Sequence, residues 1–179
     1  MQIVTLANVR CGLHGLALLP PGTRSLLDVG SGTGDAALEL SERLGPEALV
    51  VGIDRRLEAV EEAQRKARNV ALNVRFAVGD EQSLPFDDGS FDVVRADCVF
   101  QELDRPLSAV RELVRVMRPQ GFLLLSDRED VVRGERGVSR AFERAGLTAL
   151  EIVERGSYGL TVRGRKLEAT SSVARHGWG

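Results

Sequence analysis

The sequence has little of what several protein classes require. Two cysteines, Cys11 and Cys98, occur in 179 residues. They are too few for a disulfide framework or, by themselves, a four-ligand zinc site, and the sequence does not say whether they pair. Histidine is as scarce, with only His14 and His176. No run of about 18 apolar residues exists, so no membrane span is expected. The first ten residues, MQIVTLANVR, lack the charged and apolar regions of a signal peptide, and a cytoplasmic protein is expected. Neither sign of charge dominates. With 24 Lys and Arg against 26 Asp and Glu, the net charge is −2, which excludes a strongly basic nucleic-acid footprint at the level of the whole chain. What is there is ordinary for a globular domain: 43% apolar and 28% charged residues, over a length that suits one domain. One domain over 1–179 is expected, with an N-terminal helical segment (1–22), a core (23–166) and a tail (167–179).

Short apolar runs alternate with amphipathic segments. Strands are predicted at 25–30, 48–54, 74–78, 91–96 and 122–126. Helices are predicted at 33–44, 57–68, 106–118 and 137–145, the third opening on Pro106, a residue suited to a first helical turn. Two extended stretches, 148–154 and 158–163, read as a closing hairpin. This alternation predicts an α/β fold: a doubly wound, Rossmann-like, mostly parallel seven-stranded sheet in a three-layer αβα sandwich, with an antiparallel C-terminal hairpin. Ligands of such sheets lie at the carboxyl ends of the strands, near the point where strand order reverses.

Three strand ends carry polar chemistry. After the first comes Asp28-Val29-Gly30-Ser31-Gly32-Thr33-Gly34-Asp35. Glycines at alternate positions let the backbone turn sharply and a ligand lie against it. The spacing is G-x-G-x-G, not the G-x-G-x-x-G of dinucleotide sites. After the second strand comes Asp54, able to accept from ribose hydroxyls and equally able to cap the next helix. After the third come Asp80 and Glu81, where a carboxylate can accept from an exocyclic amine; simple turn chemistry accounts for the same residues.

Together these residues resemble the class I S-adenosylmethionine-dependent methyltransferases, in particular the type 11 branch that includes ubiquinone- and menaquinone-biosynthesis-like enzymes. The matching stretches are LLDVGSGTGDAAL (26–38), VVGIDRRLEAVEEA (50–63), VRFAVGDEQSLPFDDGSFDVVRADCVFQEL (74–103) and FLLLSD (122–127), with LPFDDGSFDVV the most specific. The resemblance implies S-adenosyl-L-methionine as cofactor. It implies that Gly30, Ser31, Gly32 and Gly34 line the methionine part and that Asp28 steadies their loop. Asp54 would bind the ribose, Asp80 the adenine amine and Glu81 the ring through its backbone. Arg55 would flank the slot, and Ala96 and Asp97 would stand near the sulfonium.

Transfer from a sulfonium is an in-line displacement that needs mainly positioning, with a general base as an addition. The candidates for that catalytic role are Asp97, Glu102 and His14. Many family members carry histidine where Glu102 stands. Cys98 is a candidate thiol beside the methyl, as in arsenite methyltransferases, though fewer thiols are present here. The expected acceptor is a small molecule. No metal and no membrane are expected, nucleic acid is disfavoured, and a homodimer is consistent with the exposed hairpin. The competing readings are a catalytically weak cofactor-binding subunit that needs a partner, an RNA or protein methyltransferase, and a nicotinamide-dependent oxidoreductase, which the glycine spacing disfavours.

Overall fold

The computed structural model describes residues 18–168 apart from 69, 71, 104, 134–137, 157 and 158. Its strands are β1 (Ser25–Val29), β2 (Leu49–Asp54), β3 (Val74–Val78), β4 (Phe91–Asp97), β5 (Met117–Asp127), β6 (Leu147–Gly156) and β7 (Gly159–Lys166). The helices are α1 (Asp35–Leu44), α2 (Leu57–Ala67), α3 (Pro106–Val116), α4 (Glu129–Arg133) and α5 (Val138–Arg144), with a 3-10 turn at Phe100–Glu102. The seven strands form one sheet in the order β3-β2-β1-β4-β5-β7-β6. Strands β1 to β5 are parallel, and β7 runs against both β5 and β6.

Parallel strands covered on both faces must be apolar on both faces, and these are. Leu26, Val50, Val93 and Leu124 pack with Ala37 and Leu40 of α1 and Val60 and Ala63 of α2. Their chain neighbours Leu27, Val94, Leu123 and Leu125 pack on the other side with Val110 and Leu113 of α3 and Phe142 of α5. Each such valine, leucine or phenylalanine side chain, fully buried, contributes about 1.5–3 kcal/mol relative to exposure. Strand order reverses between β1 and β4, so the crevice opens above their carboxyl ends.

Three details depart from the sequence reading. The third helix stops at Val116, and Met117–Gly121 are already strand. Met117 is fully buried and pairs with Phe91, and Lys166 Nζ takes the carbonyls of Val114 and Met117 at 2.7 and 2.5 Å, where the helix leaves them unpaired. Gln120, at φ 65°, turns the strand locally, and the β4–β5 register slips nearby. Second, β7 inserts between β5 and β6, so the first arm of the hairpin forms the sheet edge and only β7 is antiparallel to the rest. Third, α4 occupies what reads as a plain loop. Most of the predicted N-terminal segment and tail lies outside the described residues, His14 and Cys11 included. Among the described residues no helix is long and apolar enough to cross a membrane.

Candidate functional site

A cleft of about 710 Å³ lies over the carboxyl ends of β1, β2 and β4. Its lining includes Gly30, Ser31, Gly32 and Thr33 from the glycine loop, Val99 beyond β4, and nine charged residues. Six are carboxylates (Asp28, Asp35, Glu39, Asp54, Glu81 and Asp97) and three are guanidiniums (Arg55, Arg56 and Arg95). The cleft is therefore acidic and suits a cationic ligand.

The loop after β1 is held from below. The Gly30 and Ser31 N–H groups donate to the Ile53 carbonyl at 2.8 and 3.0 Å. Gly30 has φ +71°, and a Cβ there would stand 2.5 Å from a Val99 methyl, so only glycine fits where the β4 loop presses on this turn. Gly34 has φ +83° and faces away from the cleft, where a Cβ would meet Ala63 at 2.7 Å and the Phe76 ring at 2.8 Å. The third glycine thus serves helix–sheet packing.

The floor of the cleft is an ion triad. Arg95 donates from Nη1 to Asp28 Oδ1 and from Nη2 to Asp97 Oδ2, each over 2.6 Å, and all three residues are buried. Burial pushes the Asp28 carboxyl above its ordinary value despite Arg95. Burial also works to lower the pKa of Arg95, but the two aspartates outweigh it and keep the guanidinium charged. Asp28 Oδ2 and Arg95 Nε are buried with no hydrogen-bond partner in the structure, and buried polar atoms of this kind call for a ligand or water.

Asp54 ends β2. Its Oδ2 accepts the Gly32 N–H at 2.8 Å, which ties β2 to the glycine loop. Burial works to raise its carboxyl, but the Arg56 side chain, the N–H groups of Arg56 and Gly32 and the Arg56 charge hold it below its ordinary value. It is not the residue that caps α2; that position falls to Arg56. Beyond β3, buried Glu81 faces the cleft and accepts from Arg55 at 2.5 Å. Asp80 does not line the cleft: it is exposed and accepts the Gln82 N–H at 2.8 Å, as a turn aspartate does. Gly34 and Ala96 lie outside the lining as well.

Beside the cleft is a narrow recess lined by Asp97, Cys98, Ser126, Asp127, Gly159, Leu160 and Thr161. Asp127 accepts the Phe100 N–H at 2.9 Å and the Arg128 N–H at 2.8 Å, and so fixes the turn after β4. Glu102 closes that 3-10 turn. Cys98, at φ 55°, lines the same recess.

Sequence reasoning missed Arg56 and Arg95. A lone arginine inside the apolar run FDVVRAD was the available signal for Arg95, because a charge in a doubly covered strand needs a partner.

Residues 22–146 match the family model of the methyltransferase domain. The chain belongs to that family. S-adenosylmethionine is the cofactor that membership implies, and the acidic cleft with the unpartnered buried Asp28 Oδ2 fits a cationic ligand. The chain is 38% identical over 120 residues to the demethylmenaquinone methyltransferase of Thermus thermophilus, covering 67% of this chain and 54% of the relative. It is 34% identical over 112 residues to the arsenite methyltransferase of Halobacterium salinarum, covering 62% of this chain and 28% of the relative. The chain thus spans about half or less of the length of these relatives. A SAM-dependent methyltransferase structure from Aquifex aeolicus superposes with a TM-score of 0.71 at 29% identity, covering 80% of this chain and 82% of that one.

Proposed function

We propose that the chain transfers a methyl group from S-adenosylmethionine to a small-molecule acceptor. The observation that carries this reading is the acidic cleft at the strand-order reversal, with Asp54 at the end of β2 and the Asp28–Arg95–Asp97 triad on its floor. When bound, the cofactor supplies a methyl already activated by a sulfonium, so displacement is in line and needs no metal. The protein's part is to bind, orient and exclude water. Asp54 accepts from the ribose hydroxyls. Arg55 and Glu81 bound the adenine side, and Gly30, Ser31 and Gly32 bring backbone against the methionine part. Asp28 and Asp97 place negative charge where the cofactor is cationic. Asp97 also borders the narrow recess, and Asp97 and Glu102, the latter in the turn that follows β4, are the candidate bases.

The test is calorimetric titration with S-adenosylmethionine and S-adenosylhomocysteine, for the native chain and Asp54→Ala. Micromolar binding weakened more than tenfold, about 1.4 kcal/mol, is expected. Folded protein that binds neither ligand would remove the reading. Release of S-adenosylhomocysteine with pooled small molecules, and not with RNA or protein, is the outcome expected of the acceptor screen.

A further inference from the structure

The carboxylate of Asp54 is already saturated. Oδ1 accepts the Arg56 N–H at 3.0 Å and Arg56 Nε at 3.1 Å. Oδ2 accepts the Gly32 N–H at 2.8 Å and Arg56 Nη2 at 3.3 Å. A carboxylate has about four lone-pair sites, and all are in use. Two of the donors are backbone groups fixed by the fold. The other two belong to one side chain, and that side chain is 66% exposed while Asp54 is 6% exposed.

The Arg56 fork offers one donor to each carboxylate oxygen, with the two donors adjacent and coplanar. A ribose offers the same through its vicinal hydroxyls. The fork also reaches toward the glycine loop: a Cβ at Gly32 would stand 3.8 Å from Arg56 Nη2. The neighbouring Arg55 is committed elsewhere, to Glu81.

Building on the cofactor reading above, we infer that Arg56 is an internal competitor for the ribose site: its guanidinium occupies Asp54 in the free protein and must leave for the ribose hydroxyls to bind. The exchange is easy because an ion pair this exposed on one side is worth little in water. The arrangement keeps Asp54 ionised and oriented between turnovers and sets cofactor affinity below what the carboxylate alone would give. It acts on the ribose, so it weakens cofactor and demethylated product alike.

The experiment compares the native chain with Arg56→Ala, using S-adenosylmethionine, S-adenosylhomocysteine and 2′,3′-dideoxyadenosine as ligands. Arg56→Ala is expected to bind the first two about two- to fivefold more tightly, the range open to an exposed ion pair. It should gain nothing for the dideoxynucleoside, which has no hydroxyls to take the freed oxygens. Mere loss of a positive charge would favour the cationic cofactor over its net-neutral product, so a gain confined to the former overturns the inference. Unchanged or weaker binding of both also overturns it. A ligand-free readout accompanies these: the ¹³C titration midpoint of the Asp54 carboxyl should rise in Arg56→Ala, and an unmoved midpoint shows that the pair does not exist in solution. If neither protein binds cofactor, the failure falls on the proposed function, and the midpoint still decides whether Arg56 holds Asp54.

Discussion

Arg95 on β4 lies opposite Asp28 on β1 in the parallel register, and the two are joined over 2.6 Å with both side chains out of water. Asp97, two residues along the same strand, points to the same face and takes the other arm of the guanidinium. Two carboxylates thus share one cation beneath the cleft. Removing that cation strands both, and breaking a buried pair costs about 3–5 kcal/mol. Arg95→Leu is expected to lose about that much in urea denaturation. Adding Asp28→Asn should recover part of it, because one stranded charge is gone. Full stability of the single variant would refute the triad as an ion cluster in solution.

Gly34 gives a second stability prediction. Its backbone is left-handed, which costs a residue with a Cβ about 1–2 kcal/mol. The added methyl would also meet Ala63 and Phe76 below 3.0 Å, and overpacking of this kind costs about 1–3 kcal/mol. Gly34→Ala is therefore expected to lower stability by about 2–5 kcal/mol, read from thermal or urea unfolding. An unaltered midpoint would mean that α1 can shift away from α2 and β3 without loss.

The stretch LPFDDGSFDVV, the most specific in the sequence, lies away from the chemistry. Glu112 of α3 accepts the Leu84 N–H at 2.8 Å, while Arg115 donates to the Leu84 and Phe86 carbonyls at 3.0 and 2.7 Å. Asp92 Oδ2 accepts the Arg24 and Ser25 N–H groups at 2.7 and 2.9 Å, pinning the amino end of β1 to that of β4, opposite the cleft. Arg115→Ala leaves the Leu84 and Phe86 carbonyls without this donor and leaves Glu112 with only the Leu84 N–H, and an unsatisfied buried group costs about 1–3 kcal/mol. A stability loss in that range is expected, with cofactor affinity unchanged because none of these groups lines the cleft. A matching loss of affinity would show that the 84–88 loop communicates with the site.

Much of this was legible from residue order. Apolar runs flanked by turn residues locate β1 to β4 within a residue or so, because a doubly covered strand leaves little freedom in composition. Gly30, Asp54 and Glu81, which line the cleft, stand out in the sequence because each lies at or just beyond the end of such a run. What was not legible depends on partners distant in the chain. The end of α3 is set by Lys166, some fifty residues away, and the insertion of β7 between β5 and β6 is a choice of pairing that local pattern does not encode. Asp80 and Glu81 are equivalent as neighbours in sequence; only the turn bond to Gln82 sends Asp80 outward and leaves Glu81 to meet Arg55.

Two aspartates at the strand ends should respond to pH with opposite sign. Burial raises the Asp127 carboxyl above its ordinary 3.8, and the N–H groups of Arg128, Phe100 and Gln101 do not fully offset it. A raised folded pKa gives a contribution to stability that is complete below the unfolded value and is lost as pH rises through the folded one. The stability of the native chain relative to Asp127→Asn should therefore fall as pH rises above the ordinary 3.8 and through the raised folded value. Asp54 lies below its ordinary 3.8, so its contribution is present above that value and is lost as pH falls through the folded pKa. The native chain relative to Asp54→Asn should then gain stability with rising pH in the acid range. Urea denaturation of the three proteins across that range separates the two slopes. Parallel curves for both substitutions would show that burial at Asp127 and the ion pair at Asp54 do not set these carboxyls apart.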